Sequence, residues 1–284
     1  MKIGVNGASG QLGAAVVAEL KARAPEHSIV AISRTPEKAG AADVEARFGD
    51  YDDAASLAKA YAGLDRLLLI PGMDLRPGAR GAQLCTAIDA AVAAGVEHIV
   101  YVSSAGAYNA AAPNIAGDYF VSEQHLMRKA RHWTILRMSY YAEAFAQEAQ
   151  MSLGFGVVTG LAENKVSFVS RDDLAAAAAA LLVGEGHDGA IYTGTGPASV
   201  GGAERAAAVT ALTGKPMAFV VLPEATLREQ LGHAGLPAEV VNAVVSIQQN
   251  FAAGGFDIVT GDIEKLSGRA PRSLEKVLSS VLAG

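Results

Sequence analysis

The sequence of 284 residues predicts an α/β protein with a doubly wound parallel sheet and a smaller α/β C-terminal lobe. Short apolar, β-branched segments alternate with helical patterns as far as residue 136, which is typical of parallel sheets covered by helices. A turn rich in glycine joins the first strand to the first helix. After about residue 150 the alternation gives way to glycines, an alanine-rich helix and short strands. We therefore assign residues 1–150 to the main sheet and residues 151–284 to the smaller lobe, with parts of 165–197 able to return to the sheet.

The predicted sheet has six strands in the first half of the chain. They lie around residues 3–5 and at 28–33, 44–48, 64–70, 96–102 and 133–136. Helical patterns occur at residues 12–20, 52–61, 79–94 and 118–131, and again at 203–213, 224–231, 240–250 and 273–282. Because each early strand is followed by a helix or a turn, right-handed crossovers are expected, and the carboxyl ends of the strands should share one edge.

The turn after the first strand has glycine at positions 7, 10 and 13. Gly7 allows the tight turn, Gly10 allows a pyrophosphate to approach the backbone, and Gly13 allows the helix to pack on the strand. Free N–H groups at a helix start also favour a phosphate. The turn therefore predicts a Rossmann-type dinucleotide site. The residues expected at the pyrophosphate are Gly7, Ala8, Ser9, Gly10, Gln11 and Leu12.

The second strand ends in Ser33-Arg34-Thr35, where an NAD-binding protein would place a carboxylate on the ribose 2′-hydroxyl. A guanidinium can instead bind a 2′-phosphate with two hydrogen bonds. Arg34 therefore favours NADP(H), with a solvated loop residue as the alternative interpretation.

Two further strand ends supply candidate cofactor contacts. Asp50 follows the third strand, where an adenine would lie, although an aspartate here could equally begin a helix. Pro71, Gly72 and Met73 follow the fourth strand, at the edge expected to hold the ribose and nicotinamide.

Composition excludes several classes of function. The formal charge of −6 makes nucleic acid an unexpected partner, and the six histidines show no metal-ligand spacing. Cys85 is the single cysteine, so no internal disulfide can form, and the longest apolar segment is too short to cross a bilayer. The first strand begins directly after Met1, so no signal peptide is expected. We expect a cytoplasmic protein without metal or membrane contact, acting alone or as a homodimer.

Several motifs together resemble the NmrA-like atypical short-chain dehydrogenase/reductases, and within them the type 2 NAD(P)H:quinone oxidoreductases. They are NGASGQLG (6–13), SRTPEK (33–38), GDY (49–51), GVEHI (95–99), TILR (134–137), VSRDDLA (169–175) and SGRAP (267–271). The motifs extend over nearly the whole chain.

The resemblance implies NADPH-dependent hydride transfer to a quinone or a similar planar, apolar acceptor. It also implies that residues 71–73 and 138–143 line the nicotinamide side. The second group comprises Met138, Ser139, Tyr140, Tyr141, Ala142 and Glu143. Because the family includes regulators, a non-catalytic NADP-binding redox sensor is the alternative. A third option is an azo or triphenylmethane dye reductase, which would use the same hydride chemistry.

No tyrosine is followed four residues later by lysine, the pair that ordinary members of this superfamily use to move a proton. Tyr119 has Glu123 at that spacing. This departure argues against alcohol dehydrogenation and is compatible with quinone reduction.

The remaining catalytic candidates are Tyr119, Ser103 and Tyr140. Each has a structural alternative, namely half-buried packing for the tyrosines and a strand-ending turn for the serine. Arg137 is expected to pair with a nearby acid.

Overall fold

The computed structural model describes residues 1–39 and 44–282, which contain a large parallel sheet and a smaller C-terminal lobe. The strands are β1 (Lys2–Asn6), β2 (Ser28–Ser33), β3 (Glu45–Phe48), β4 (Arg66–Leu69), β5 (His98–Ser104), β6 (Trp133–Met138), β7 (Tyr140–Tyr141), β8 (Val157–Gly160), β9 (Val166–Val169), β10 (Ala190–Gly194), β11 (Ser199–Val200) and β12 (Ala218–Val221).

Helices alternate with these strands through the first half of the chain. They are α1 (Gln11–Arg23), α2 (Pro36–Ala39), α3 (Ala54–Tyr61), α4 (Ala79–Ala93), α5 (Ile115–Lys129), α6 (Ala142–Ser152), α7 (Arg171–Val183), α8 (Gly202–Thr213), α9 (Glu224–His233), α10 (Ala238–Ala252), α11 (Asp262–Ser267) and α12 (Leu274–Leu282). In the described part of the chain, no helix is both long enough and apolar enough to span a bilayer.

Seven parallel strands form the main sheet in the order β10-β6-β5-β4-β1-β2-β3. The order reverses between β1 and β4, which is the switch point at which nucleotides bind in such sheets. The predicted α/β fold with a doubly wound parallel sheet is confirmed. The seventh strand, β10, pairs with β6, so residues 190–194 lie in the main sheet although they follow residue 150. The boundary at residue 150 stays a prediction.

Each face of the main sheet is covered by its own group of helices. On one face, α1 and α7 pack together over the buried residues of β1 and β5. On the other face, α3, α4 and α5 cover Val30, Leu67 and Tyr101. The alanine run of α7 is almost wholly buried, because alanine side chains let this helix lie close to α1. Strands covered on both faces explain the continuous apolar segments in the sequence.

The C-terminal lobe is built around α6, α8 and α12 with two small sheets. Strand β12 runs parallel to β8, and β9 lies between β7 and β11. The sequence pattern did not reveal β8 or β12, which are short strands of four residues each that pair only with one another. Helix α5 begins at Ile115, earlier than the predicted residue 118, because the Asn114 side chain accepts a hydrogen bond from the Gly117 amide and caps the helix.

Candidate active site

The turn between β1 and α1 is shaped by its glycines. Gly7 has φ +92°, a conformation that side chains disfavour. A Cβ on Gly13 would lie 2.2 Å from the carbonyl oxygen of Gly7, so only glycine allows the helix to pack this close to the turn. At Gly10 a Cβ would approach the same oxygen to 3.3 Å, a tight contact that a shift of a few tenths of an ångström would relieve, and would meet no other atom within 4 Å.

The start of α1 offers hydrogen-bond donors without protein acceptors. Gly10 is the N-cap and supplies no side-chain acceptor, and the first helical turn contains no acidic residue. Among the described residues, the backbone N–H groups of Gln11 and Leu12 have no acceptor, whereas the Ala14 amide closes the first helical bond onto Gly10. Free amides at a helix N-terminus fit a pyrophosphate. The described residues therefore fit the phosphates of a dinucleotide.

Arg34 lies in a turn that is held by neighbouring hydroxyl groups. The Ser33 hydroxyl lies 2.7 Å from the Ser9 hydroxyl and accepts a hydrogen bond from the Thr35 amide at 2.9 Å. The Arg34 side chain is exposed and forms no hydrogen bond or ion pair with any described residue. A guanidinium beside the phosphate turn, with its donors unused, fits a 2′-phosphate.

The loop after β3, expected at the adenosine side, is joined to the end of β4 by Tyr51. The Tyr51 hydroxyl donates to the Ile70 carbonyl at 2.7 Å. Asp50 accepts a hydrogen bond from the Asp52 amide, and the N-cap of α3 is Asp53, so the structure does not support the alternative in which Asp50 begins the helix. Pro71 and Gly72 are partly exposed, and Met73 is 82% exposed.

The segment from Met138 to Glu143 follows β6 and connects the two lobes. The Ser139 hydroxyl donates to the Ser167 carbonyl and has no accessible surface to offer a ligand, because the side chain is 2% exposed. Ala142 is also buried. Glu143 accepts a hydrogen bond from the Arg171 amide through Oε1, whereas its buried Oε2 has no hydrogen-bond partner among the described residues. The same oxygen lies 3.9 Å from Arg171 Nη1, an ion-pair distance without a hydrogen bond, so it can still accept one from a donor such as a carboxamide N–H.

Tyr140 and Tyr141 point in different directions. The Tyr140 hydroxyl donates to Glu148 at 2.5 Å, and its ring packs edge-on against Phe168 and Phe251 in the lobe. Burial raises the pKa of Tyr140, and it also raises the pKa of Glu148. The Tyr141 ring lies 4.9 Å under the Arg171 guanidinium, and burial raises the pKa of its hydroxyl.

Ser103 is enclosed in a polar cluster behind the strand end. Its hydroxyl donates to Glu123 at 2.6 Å, and Arg137 donates to the same carboxylate at 2.8 and 2.7 Å. Ser103 and Glu123 are both 0% exposed. The expected acid partner of Arg137 is therefore Glu123. Because its proton is used and its surface is covered, Ser103 is not retained as a substrate contact.

Tyr119 is held by an arginine that the sequence did not single out. The Arg80 Nη1 atom donates to the Tyr119 hydroxyl at 3.1 Å, and its guanidinium carbon lies 5.4 Å from the Tyr119 ring centroid. Both residues are buried, at 5% and 6% exposure. The Tyr119 phenol is close enough to Tyr141 for the two to interact electrostatically. The pair thus lies between α4 and α5, beside the segment that follows β6.

The sequence matches the NAD(P)H-binding family over residues 7–184. It is 32% identical to quinone oxidoreductase 2 of Escherichia coli over 281 residues, which cover 98% of this chain and 97% of that protein.

The chain belongs to the NAD(P)H-binding family. The NADPH complex of the E. coli quinone oxidoreductase superposes with a TM-score of 0.91 at 31% identity, covering 99% of both chains. The NADP(H) complex of Citrobacter sp. triphenylmethane reductase gives 0.89 at 30% identity, covering 99% of this chain and 100% of that one. The NAD(P)H azoreductase of Xenophilus azovorans is 27% identical, covering 95% of this chain and 94% of that protein.

Family membership confirms the predicted resemblance to the NmrA-like reductases and the predicted nicotinamide nucleotide. The individual contact residues stay predictions. Most of them are at least partly exposed, whereas four are buried, namely Ala8, Leu12, Ser139 and Ala142. No group of three or more histidine, cysteine, aspartate or glutamate side chains in residues 1–39 and 44–282 is arranged to hold a metal ion.

Sequence reasoning missed Arg80, Glu148 and Arg171 as parts of this region. One signal for Arg80 was present, since a cation in the first turn of a helix opposes the helix dipole. Glu148 gave no such signal, because its contact with Tyr140 depends on packing within the lobe.

Proposed function

We propose that this protein is an NADPH-dependent reductase that transfers a hydride directly to a quinone or a similar planar, conjugated acceptor. The observation that carries the proposal is the extent of the match. The similarity to the E. coli quinone oxidoreductase covers both lobes, so the segments that would enclose the acceptor match along with the nucleotide turn.

Different described residues are proposed to bind different parts of NADPH. The amides of Gln11 and Leu12 hold the pyrophosphate, and Arg34 holds the 2′-phosphate. Glu143 Oε2, which accepts no hydrogen bond from the described residues, would accept one from the nicotinamide carboxamide and so orient the ring. Bound NADPH supplies the hydride from its nicotinamide C4. The chain itself orients that face and excludes water from the reaction.

Proton supply limits the choice of reaction. Tyr119 lacks the lysine partner that alcohol oxidation needs, and Ser103 is enclosed. A quinone needs no strong general acid, because aromatisation of the ring drives its reduction and water can supply the proton. Tyr119 and Tyr140 remain the phenols proposed to contact the acceptor side.

The proposal is tested by following NADPH oxidation with a simple benzoquinone, with NADH as the matched cofactor. Turnover well above the rate without protein, with NADPH preferred, supports it. Tight NADPH binding without turnover of any quinone contradicts it and supports the redox-sensor alternative.

Reduction of azo or triphenylmethane dyes is a second candidate. It is favoured by the structural likeness to the triphenylmethane reductase across the full chain. Parallel assays with a cationic triphenylmethane dye and a benzoquinone separate the two, since the preferred acceptor has the higher kcat/KM.

A cytoplasmic location and a homodimer complete the proposal. Each of these two properties has its own test. Light scattering of the purified protein decides the oligomeric state, and cell fractionation decides the location.

A further inference from the structure

Arg80 occupies a position that is energetically unfavourable for a cation. It is the second residue of α4, in the first helical turn, where the helix dipole repels positive charge. The side chain is 5% exposed, and no carboxylate of the described residues lies within ion-pair distance of it. Its Nε donor has no acceptor in the described part of the chain. Proteins rarely retain a buried, unpaired charge unless it serves a function.

Two acids, Asp118 and Asp74, interact electrostatically with this guanidinium, but neither forms an ion pair with it. Asp118 lies beside Gly81 at the start of α4, and burial raises the pKa of its carboxyl, opposed by the positive charge of Arg80. Asp118 therefore interacts with Arg80 only at a distance. The guanidinium retains positive potential that can act on a group placed beside Tyr119.

The contact between Arg80 and Tyr119 also fixes the direction of the phenol proton. A guanidinium has only N–H donors, so the Tyr119 oxygen must accept from Arg80. The O–H proton of Tyr119 then points elsewhere, and no described residue accepts it. Tyr51 and Tyr140 instead donate their own protons, to Ile70 and Glu148. Tyr119 is thus a polarised donor with a free proton, near Tyr141 at the carboxyl edge of the sheet.

We propose that Arg80, acting through the Tyr119 hydroxyl, stabilises negative charge that forms on the acceptor, and so selects neutral carbonyl acceptors such as quinones over cationic dyes. This inference rests on the proposed reductase function. Tyr119 contacts the acceptor oxygen, and Arg80 is the positioning residue behind it.

The charge balance of the two reactions gives the selectivity its physical basis. A neutral quinone accepts a hydride, two electrons with one proton, and becomes a hydroquinone monoanion as NADPH is oxidised to NADP⁺. One further proton from water then gives the hydroquinone. A triphenylmethane dye is a carbocation, and the same hydride forms a C–H bond that makes it neutral with no proton required. Positive potential from Arg80 therefore favours the first reaction and opposes entry of the cation in the second.

The test compares wild type with Arg80→Met, Tyr119→Phe and the double variant, using a benzoquinone and a cationic triphenylmethane dye with NADPH. Losing a preorganised donor typically costs about 10²–10³ in kcat, so the ratio of quinone to dye kcat/KM should fall about tenfold or more in each single variant. If the two groups act as one unit, the double variant should lose little more than either single variant. Arg128→Met removes an exposed guanidinium from α5 and serves as the matched control, with its ratio unchanged.

A second readout does not depend on turnover. 4-Nitrophenol with NADP⁺ mimics the anionic product, and its absorbance reports its ionisation. Wild type should bind the phenolate in preference to the phenol, and this preference should disappear in Arg80→Met. Circular dichroism spectra that match wild type exclude misfolding as the cause.

The outcomes separate the two proposals. A wild type that reduces neither acceptor contradicts the proposed function. A wild type that reduces quinone, with variants that lose quinone and dye activity equally, leaves the function intact and overturns the role of Arg80. Equal phenolate binding by wild type and Arg80→Met, or a wild type that prefers the cationic dye, also overturns it.

Discussion

Two buried arginines lie at opposite edges of the same sheet, and their surroundings differ. Arg66 begins β4 at the amino edge, where it donates to the Leu182 and Gly184 carbonyls at 3.1 and 2.6 Å and to Glu185 at 2.5 Å. Arg80 follows the same strand at the carboxyl edge, and it has one phenol as a partner and an unpartnered Nε. The donors of the Arg66 guanidinium bond to acceptors of the protein itself, whereas the Arg80 guanidinium keeps an N–H donor that is not used by any described residue.

The polar groups around the two arginines differ in the same way: those near Arg66 have hydrogen-bond partners, and some of those near Arg80 do not. At the amino edge, His98 lies 2.8 Å from the Thr134 hydroxyl and His132 lies 2.7 Å from Asp188. At the carboxyl edge, Gln83 Oε1 and Glu143 Oε2 are buried and accept no hydrogen bond from any described residue. Because unsatisfied buried groups are costly, their concentration at one edge marks the edge that receives a ligand. Burial alone therefore does not distinguish a structural arginine from a functional one. The number of its N–H donors that have acceptors within the protein does.

The largest effect is expected when the two arginines are replaced in parallel. Arg66→Met leaves two buried carbonyls without a donor, so the free energy of unfolding should fall by roughly 2–5 kcal/mol. Arg80→Met removes an unpaired buried charge and should change the same quantity by less than about 1 kcal/mol. Urea unfolding measures both. Equal losses would abolish the distinction between the two edges.

A smaller effect is expected within the phosphate turn. Gly13→Ala places a methyl group 2.2 Å from the Gly7 carbonyl oxygen, so the turn must move. Overpacking of this kind costs about 1–3 kcal/mol of stability, and the displaced amides should also bind NADPH more weakly. The matched control is Gly10→Ala, whose Cβ would lie 3.3 Å from the same oxygen and should leave the unfolding free energy nearly unchanged. Thermal unfolding and NADPH titration of both variants check this prediction.

Arg34→Ala should act on cofactor choice without acting on the fold. The side chain is exposed and forms no contact with any described residue, so stability should not change. Loss of a charge-assisted contact should weaken NADPH binding by roughly 1–3 kcal/mol and leave NADH binding almost the same. Fluorescence titration with both nucleotides measures the difference. An equal loss for NADPH and NADH would contradict a role at the 2′-phosphate.

The smallest expected effect is on the pH dependence of stability, through His98 at the amino edge of the sheet. Burial, aided by the positive charge of Arg66, lowers the pKa of His98 below its ordinary value of 6.5. The unfolded chain then binds more protons than the folded chain as the pH falls below that value, so stability is lost towards acid. His98→Gln should reduce the slope of unfolding free energy against pH between about pH 7 and 5. The exposed His233 provides the control, since His233→Gln should leave the slope unchanged.

The sequence could predict the features that depend on residues close together in the chain. Apolar periodicity placed the strands of the main sheet to within a few residues, and three spaced glycines marked the phosphate turn. Arg34 could be predicted as a phosphate contact because its place depends only on the end of one strand, and this role stays a prediction. The enclosure of Ser103 by Glu123 and Arg137 could not be predicted, because it involves three separate elements.

By itself, the sequence determined the fold class, the nucleotide turn and the absence of a tyrosine–lysine pair, since these follow from local spacing. Only the tertiary structure decided that the Tyr119 hydroxyl accepts from Arg80, and that Arg80 is buried without an acid in ion-pair contact among the described residues. Arg80 and Tyr119 are 39 residues apart and meet only because α4 packs on α5. The satisfaction of a buried donor depends on every element around it, and no local pattern contains that information.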